Sequence, residues 1–431
     1  MMAELIQVFG VSKDMVLSYI EREQVDGKFK EALESDKHII VYGSSKQGKS
    51  ALRRKHLTEE NEVLIQCGPQ HDTAGIYSSI LRQLDVLLED SFSEKRASNG
   101  EINASIKVKA KLPFIGGVEA DLGGKSVGGS ETTIGYKTID INLELAQDIG
   151  EVIKETNKNK FVILENFHYL NDEVQQKLAF DLRSFQEIGI RFIILGIWRE
   201  RNRLNQFNGD LVDRIIEIPV EPWEDEDFEK VIHKGSKILN IAFSDEIKDK
   251  IKEISFGNIG IVQELCKQFC LESNIKNSVR DIVTLEDLDK LDKAVSTKVR
   301  DYSSRHHRAL ESIADASRLY ERGLFLPYYI VKIIIQSDID DLKQGLQRGT
   351  IHSKIKLAHY RPDDVRNGDM TNLLHGLGSL QNKKKIVPPL FDYDLSNRTL
   401  RVIDSTLLFY LKFTDTNTLV EELPDPSENL S

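Results

Sequence analysis

At 431 residues the chain is too long for one hydrophobic core, and two or three domains are expected. Its 40% hydrophobic and 29% charged content is ordinary for a soluble globular protein, and no apolar run approaches the ~18 residues of a membrane span. The net charge of −11 excludes a protein that coats nucleic acid over its whole surface, but the charge is uneven. Residues 296–420 carry 19 Lys/Arg against 14 Asp/Glu, whereas residues 1–295 carry 39 against 51.

The N-terminus, Met1-Met2-Ala3-Glu4-Leu5, lacks the basic and then apolar layout of a signal peptide. Three cysteines, Cys67, Cys266 and Cys270, with no CxxC, exclude a disulfide framework and read as buried thiols. A cytoplasmic location is expected.

In chain order, residues 1–35 read as helical, with Val11, Met15, Val16, Tyr19 and Ile20 spaced for one face. His38 to Tyr42 is a short buried strand. Strands at Val63–Cys67, Phe161–Leu164, Phe192–Gly196 and Ile215–Pro219 then alternate with helices from Thr73 to Leu88, Leu143 to Thr156 and Gln175 to Gln186. That alternation predicts a parallel sheet wrapped by helices, and the near-continuous apolar strands suit burial on both faces. Residues 95–140 break the rhythm. Ile106, Val108, Ala110 and Leu112 alternate with Lys107, Lys109 and Lys111, the period of a half-exposed antiparallel strand. Glycine pairs at 116–117, 123–124 and 128–129 follow, so the segment reads as a β-rich insertion. Its three lysines suit either a solvated face or a contact with nucleic acid or a neighbouring subunit. Past Pro222-Trp223 the pattern is helical through Glu226–Leu239, Asp245–Ile254 and Gly260–Leu271. Near the C-terminus a helix from Met370 to Asn382, a hairpin over Pro389–Ile403 turning at Ser396-Asn397, and an apolar helix over Asp404–Phe413 outline a winged helix. Residues 421–431 are acidic, contain proline and read as disordered.

Gly43-Ser44-Ser45-Lys46-Gln47-Gly48-Lys49-Ser50 matches G-x-x-x-x-G-K-[ST] in full and is followed by Ala51-Leu52-Arg53, the first turn of a helix. Strand, glycine loop and helix in that order are what a phosphate-binding loop requires. The glycines let successive N–H groups converge on phosphate, and the helix N-terminus adds partial positive charge. Lys49 is assigned to the β- and γ-phosphates and the Ser50 hydroxyl to Mg²⁺. At the end of the strand carrying Phe161–Leu164, Glu165 takes the metal side. Asn166 stands where a second acid usually orients water, and an amide cannot accept a proton, so slow hydrolysis is expected. His168 and Asp172 are candidates to assist, with a structural role for His168 as the alternative. At the next strand end Arg199 or Glu200 is placed to sense the γ-phosphate. Arg214, ahead of the last core strand, is placed to reach a neighbouring subunit's nucleotide or, alternatively, to pair with Asp210 or Asp213.

Together these residues resemble the AAA+ ATPases of the bacterial and archaeal branch that grades into the STAND signalling ATPases. The resemblance rests on Gly43 to Ser50, on Glu165 with Phe167-His168-Tyr169-Leu170, and on Gly196-Ile197-Trp198-Arg199. It extends to Arg214, to Pro222-Trp223 and to Ser18-Tyr19-Ile20-Glu21-Arg22 followed by Val25-Asp26, which looks like the segment that covers the adenine, with Tyr19 and Arg22 against the base. It implies ATP with Mg²⁺ as ligands and an α/β P-loop NTPase sheet with helical lid, β-rich insertion and C-terminal winged helix. The implied division is 1–35, 36–222, 223–295, 296–420 and an acidic tail. The lid segment Gly257-Asn258-Ile259-Gly260 lacks the arginine many members carry there, which leans toward switch-like members. The expected function is an oligomeric ATP-dependent switch with a partner effector, in bacterial antiphage defence or stress signalling. The alternative is a DNA-acting ATPase of initiator or transposition-regulator type, using the winged helix and Lys383-Lys384-Lys385; a metabolic kinase fits the long lid poorly. No membrane association is expected.

Overall fold

The computed structural model describes residues 3–98, 101–114, 135–156, 160–317 and 323–425; the side chains at 90–106, 113, 114, 135 and 136 lie outside that description. The chain opens with two helices, α1 (Leu5–Val8) and α2 (Lys28–Glu34). The residues between them are not one amphipathic helix, contrary to expectation. Gly10 sits at a φ of 116°, which ends the helix after Val8. Residues 11–22 run without helix, with Val11 and Met15 exposed, and a π-helical turn over Glu23–Gly27 leads into α2.

The core follows as β1 (His38–Tyr42), α3 (Lys49–His56), β2 (Glu62–Gln66) and α4 (Thr73–Gln83). Next come β3 (Leu87–Ser98), β4 (Glu101–Phe114), β5 (Gly135–Asn142) and α5 (Ala146–Thr156). It closes with β6 (Phe161–Glu165), α6 (Asp172–Ile188), β7 (Phe192–Gly196), α7 (Arg203–Phe207) and β8 (Ile215–Pro219). Five strands form a parallel sheet in the order β2-β6-β7-β1-β8. Every residue of β1, β6 and β7 is buried, because helices cover both faces. Parallel pairing brings the C-terminal ends of β1, β6 and β7 to one edge, the edge where α/β sheets bind ligands. This is the P-loop NTPase fold.

The insertion is an antiparallel sheet in the order β3-β4-β5 and starts earlier than expected, at Leu87. The helix expected to reach Leu88 stops at Gln83, and Asp85, at a φ of 61°, turns the chain into the strand. Val108, Ala110 and Leu112 are buried and join the core cluster containing Tyr77 and Ile149, while Lys107 and Lys109 are exposed. The three glycine pairs lie outside the described residues.

After β8 come α8 (Asp225–Leu239), β9 (Ile241–Phe243), α9 (Asp245–Ile254), α10 (Ile259–Glu272), β10 (Val283–Leu285) and α11 (Leu288–Ala314). The short parallel pair β9–β10 was not legible in the helical pattern. Leu5, Val8 and Phe9 pack into this helical layer, so α1 belongs to it by contact. The C-terminal part holds α12 (Leu326–Ile335), α13 (Ile339–Gln344), β11 (Leu346–Gln347), α14 (Arg348–Ala358) and α15 (Asn367–Lys383). It ends with β12 (Phe391–Asp394), β13 (Thr399–Val402), α16 (Ser405–Lys412) and α17 (Thr416–Glu421). Its sheet is antiparallel, β11-β13-β12. Of the tail expected to be disordered, Leu423 is buried in the C-terminal apolar cluster, and residues 426–431 lie outside the description. Among the described residues no helix is long and apolar enough to cross a membrane.

Candidate functional site

The loop after β1 is shaped by two glycines. Gly43 and Gly48 have φ of 151° and 88°, and Gly48 is the left-handed residue before the first turn of α3. Lys49 folds back, its Nζ donating to the carbonyls of Gly43 (2.9 Å) and Ser44 (2.6 Å). Burial pushes its ammonium down to about 8, opposed by the carboxylates of Glu221 and Glu165.

The Ser50 hydroxyl donates to Glu165 Oε1. Glu165 Oε2 accepts from Gln66 Nε2 at 2.9 Å, and Arg53 lies 3.8 Å away. Asn166, in the left-handed region at a φ of 63°, donates from Nδ2 to Gln66 Oε1 at 2.9 Å. Gln66 thus uses both ends of its amide to tie Glu165 to Asn166. The sequence reading passed over it; its signal is a polar residue ending β2 directly opposite Glu165 in the register. Ser50 and Glu165 form a pair of hard oxygen donors, the donor chemistry that suits Mg²⁺.

His168 lines the same cavity as Lys49, and its Nδ1 accepts from the Ile197 N–H at 3.2 Å. That bond fixes the neutral tautomer with the proton on Nε2, a buried atom with no protein partner. Burial and the nearby positive charges of Lys49 and Arg203 hold the ring neutral, well below its ordinary pKa. His168 therefore offers the cavity no basic nitrogen, and its Nε2–H is buried. Asp172, the other candidate assistant, lies outside the residues lining the cavity and is bonded to Ser379.

The cavity holds about 330 Å³, and Lys46, Gln47, Gly48, Lys49, Ser50 and Ala51 line its phosphate end together with Glu165 and Asn166. The non-helical segment forms the opposite wall. Tyr19 donates to Asp26 Oδ1 at 2.6 Å, the Arg22 N–H to Asp26 Oδ2 at 2.8 Å, and His56 Nε2 lies 2.8 Å from Asp26 Oδ1. The Arg22 guanidinium donates to the carbonyls of Val220 (2.8 Å) and Pro222 (3.1 Å) and lies 3.7 Å from the Trp223 ring centroid. Asp26, expected in the adenine-covering segment, and Trp223, expected only as the start of the lid, are what fix Tyr19 and Arg22 in place. Helix α10 closes the cavity from the lid side. A Cβ on Gly260 would lie 2.5 Å from the Lys46 Cβ, so only glycine admits this approach.

Gly43, Ser44 and Ser45, expected to contact phosphate, turn the other way. The Ser44 N–H donates to Glu221 Oε2 at 2.5 Å, and Glu221 Oε1 accepts from Gln47 Nε2 (2.8 Å) and Arg199 (2.9 Å). The Ser45 N–H donates to the Ile403 carbonyl at 3.0 Å, in the segment joining β13 to α16. Asn258 Nδ2 donates to both the Ser45 carbonyl (3.0 Å) and Ser405 Oγ (2.6 Å). Next to them, buried Asp404 accepts from Thr406 Oγ1 at 2.6 Å and pairs with Arg305 of α11. Burial opposes its ionisation, but His306, Arg305 and the Thr406 hydrogen bond outweigh that and hold its carboxyl below the usual range.

The remaining sequence candidates lie off the cavity. Arg199 donates to Ser44 Oγ at 2.7 Å and lines a separate cleft. Glu200 is buried and accepts from Gln206 (2.6 Å) and the Leu395 N–H (3.2 Å), docking the C-terminal hairpin on the core. Arg214 donates to Gln186 (2.8 Å) and pairs with Glu187 (3.4 Å), not with Asp210 or Asp213. Asp210 is taken by Arg183, and that neighbour redirects Arg214 to α6.

No protein-family model and no curated protein matches this chain. Its fold is similar to that of the Walker-type ATPase PABY2304 of Pyrococcus abyssi, at 13% identity and a TM-score of 0.47, with 92% of this chain and 96% of that chain covered. It is also similar to the RuvB Holliday junction branch migration motor of Thermotoga maritima, at 13% identity and a TM-score of 0.39, with the same two coverages of 92% and 96%. These are distant likenesses. The strand order and the loop geometry carry the P-loop NTPase assignment without them.

Proposed function

We propose that the chain is an ATP-binding, slowly hydrolysing AAA+/STAND-like oligomeric switch, in which the winged-helix-like C-terminal part clasps the phosphate loop in one state and releases it in another. The observation that carries this reading is the hydrogen bond from the Ser45 N–H to the Ile403 carbonyl, buttressed by Asn258 and the Asp404–Arg305 pair. A loop whose back is held by a distant part of the chain reports its own occupancy to that part. A ligand that favours one of the two arrangements shifts their populations by its differential affinity.

In this reading the loop from Lys46 to Ala51 and the Lys49 ammonium hold the phosphates, while Tyr19, Arg22 and Trp223 border the base. Ser50 and Glu165 hold Mg²⁺, which when bound neutralises phosphate charge. Gln66 keeps Glu165 and Asn166 oriented. Turnover is slow because Asn166 cannot accept a proton and the accepting nitrogen of His168 is already engaged. Arg214, held by Gln186 and Glu187 in the single chain, exchanges those partners for a neighbouring subunit's nucleotide on assembly. The domain division at 36, 223 and 296 belongs to the same proposal, as does a separate protein effector.

The test is ATP turnover against protein concentration, with mass photometry on the same samples. Turnover that rises with assembly, and loses that rise in Arg214→Ala, supports the shared site. A rise preserved in Arg214→Ala removes the finger from the account, and failure of the wild-type chain to bind ATP removes the account. The DNA-acting reading finds less support: Leu395 and Ser396 at the hairpin tip contact Glu200 and Gln206 of the core. Tight DNA binding that disappears when Lys383, Lys384 and Lys385 are changed to Glu would reverse that preference.

A further inference from the structure

Behind the phosphate loop lies a second cavity of about 550 Å³, which shares the Trp223 side chain with the nucleotide cavity as a wall. Four cationic side chains line it: Arg199 and Arg201 from the segment after β7, Lys343 from α13 and Arg401 from β13. Glu221 is the carboxylate among its lining residues. Both Glu221 oxygens are already engaged, by the Ser44 N–H on one side and by Gln47 and Arg199 on the other.

The other cations are poorly neutralised. Among the described residues, neither Arg201 nor Arg401 has a carboxylate within 4.0 Å. Arg201 lies beside the neutral Tyr42 hydroxyl, and the carboxylate that acts on it, Glu217, is half-buried and already accepts from the Asn202 N–H. Arg401 reaches the Gln344 carbonyl at 3.3 Å, and its buried Nε has no acceptor. Among the described residues the carboxylate paired with Lys343 is Asp340, an exposed neighbour 3.7 Å away. Cations gathered around a concave wall with few anions repel one another, and a buried donor without an acceptor is costly. The repulsion is relieved by a ligand bearing several anionic oxygens. Of the rings at this wall, Tyr42 stacks on Trp198 and Trp223 lies against Arg22 and Phe228, while half-buried Phe256 stands 5.9 Å from the Lys343 ammonium. A cation beside an aromatic ring, as at Lys343 and Phe256, suits a charged head and a flat ring in one molecule, and the volume lies in the range of small-ligand sites.

We propose that this cleft binds a nucleotide-class polyanion, a phosphorylated small molecule carrying an aromatic base, at a site separate from the ATP cavity. Its cations come from the core and from the C-terminal part, so the ligand ties the two together. Arg199 also holds Ser44, which places one residue in contact with both the cleft and the back of the phosphate loop. A mononucleotide and a cyclic dinucleotide share this chemistry, and the probes distinguish them.

The experiment titrates guanosine monophosphate, adenosine monophosphate, cyclic di-guanylate and pyrophosphate into the full chain carrying Lys49→Ala, by calorimetry at low and high salt. Binding of at least one base-carrying probe is expected, weakened by salt and reduced about tenfold or more in Lys49→Ala/Arg201→Ser/Arg401→Gln. Lys343→Gln, at an exposed position, gives a smaller loss and serves if the triple variant does not fold. Pyrophosphate binding equal to that of every nucleotide overturns the aromatic part of the proposal. Absence of binding by all four probes, or binding indifferent to these substitutions, overturns the site. ATP binding by the chain with native Lys49 is scored separately, so the ATP reading and the cleft fail independently.

Discussion

The phosphate loop has two faces built on opposite principles. On the front, Lys46 to Ala51 border a cavity, and Lys49, Ser50 and Glu165 meet there with groups suited to anions or a metal. On the back, Ser44 and Ser45 bond to Glu221, Arg199, Asn258 and the Ile403 carbonyl. In the proposed switch the front binds and the back connects. The difference teaches that substitutions on the two faces should separate affinity from control.

The largest effect is expected on the front. Lys49→Ala removes a charge-assisted contact to phosphate and should weaken ATP binding by about 100-fold, about 3 kcal/mol, in a titration. Glu165→Gln should leave ATP binding measurable while lowering turnover about 100-fold, since it removes the carboxylate beside Ser50. Asn166→Asp restores an acid at the strand end and should raise turnover about tenfold, unless its loss of the Gln66 bond dominates the reading, which Gln66→Ala measures independently.

On the back, Asp404→Asn keeps the shape and removes the charge paired with Arg305. It should speed ADP release about fivefold, at the low end of usual coupling energies, with little change in ATP affinity. A parallel loss of affinity would merge the two faces and break the distinction. The smallest effect is one of pH. Lys49 sits near 8 in the free chain, and bound phosphate favours its charged form, so its pKa rises on binding. Binding should therefore take up a proton above pH 8, and affinity should fall as pH rises through 8. Calorimetry in buffers of different ionisation enthalpy reads that uptake, and it should vanish in Lys49→Ala.

The front was legible in the sequence and the back was not. Strands β1 and β7 fall where their apolar runs end, because a strand buried on both faces writes its limits in hydrophobicity. The loop follows from its glycine spacing, and Glu165 from its place at a strand end. Glu221 lies 177 residues from Ser44, and Asp404 lies 359 from Ser45, so no local pattern announces either pairing. The Ile403 contact is made by a backbone carbonyl, which carries no residue signature at all. The segment 11–22 was misread for a related reason. Its apolar residues recur at helical spacing, but Val16, Tyr19 and Ile20 serve as cavity wall and not as one face of a helix. Arg199 and Arg214 were found as residues worth attention, while their partners depended on neighbours, Glu221 and α6, that the chain brings up from elsewhere.

The most direct test of the clasp is amide hydrogen exchange of the segment spanning Ile403 to Leu411 and of the Ser45 amide, with ADP and with a non-hydrolysable ATP analogue. The account predicts strong protection of both with ADP and faster exchange of both with the ATP analogue, because the Ser45–Ile403 bond is the contact that opens. Equal protection of both segments in the two nucleotide states would contradict it.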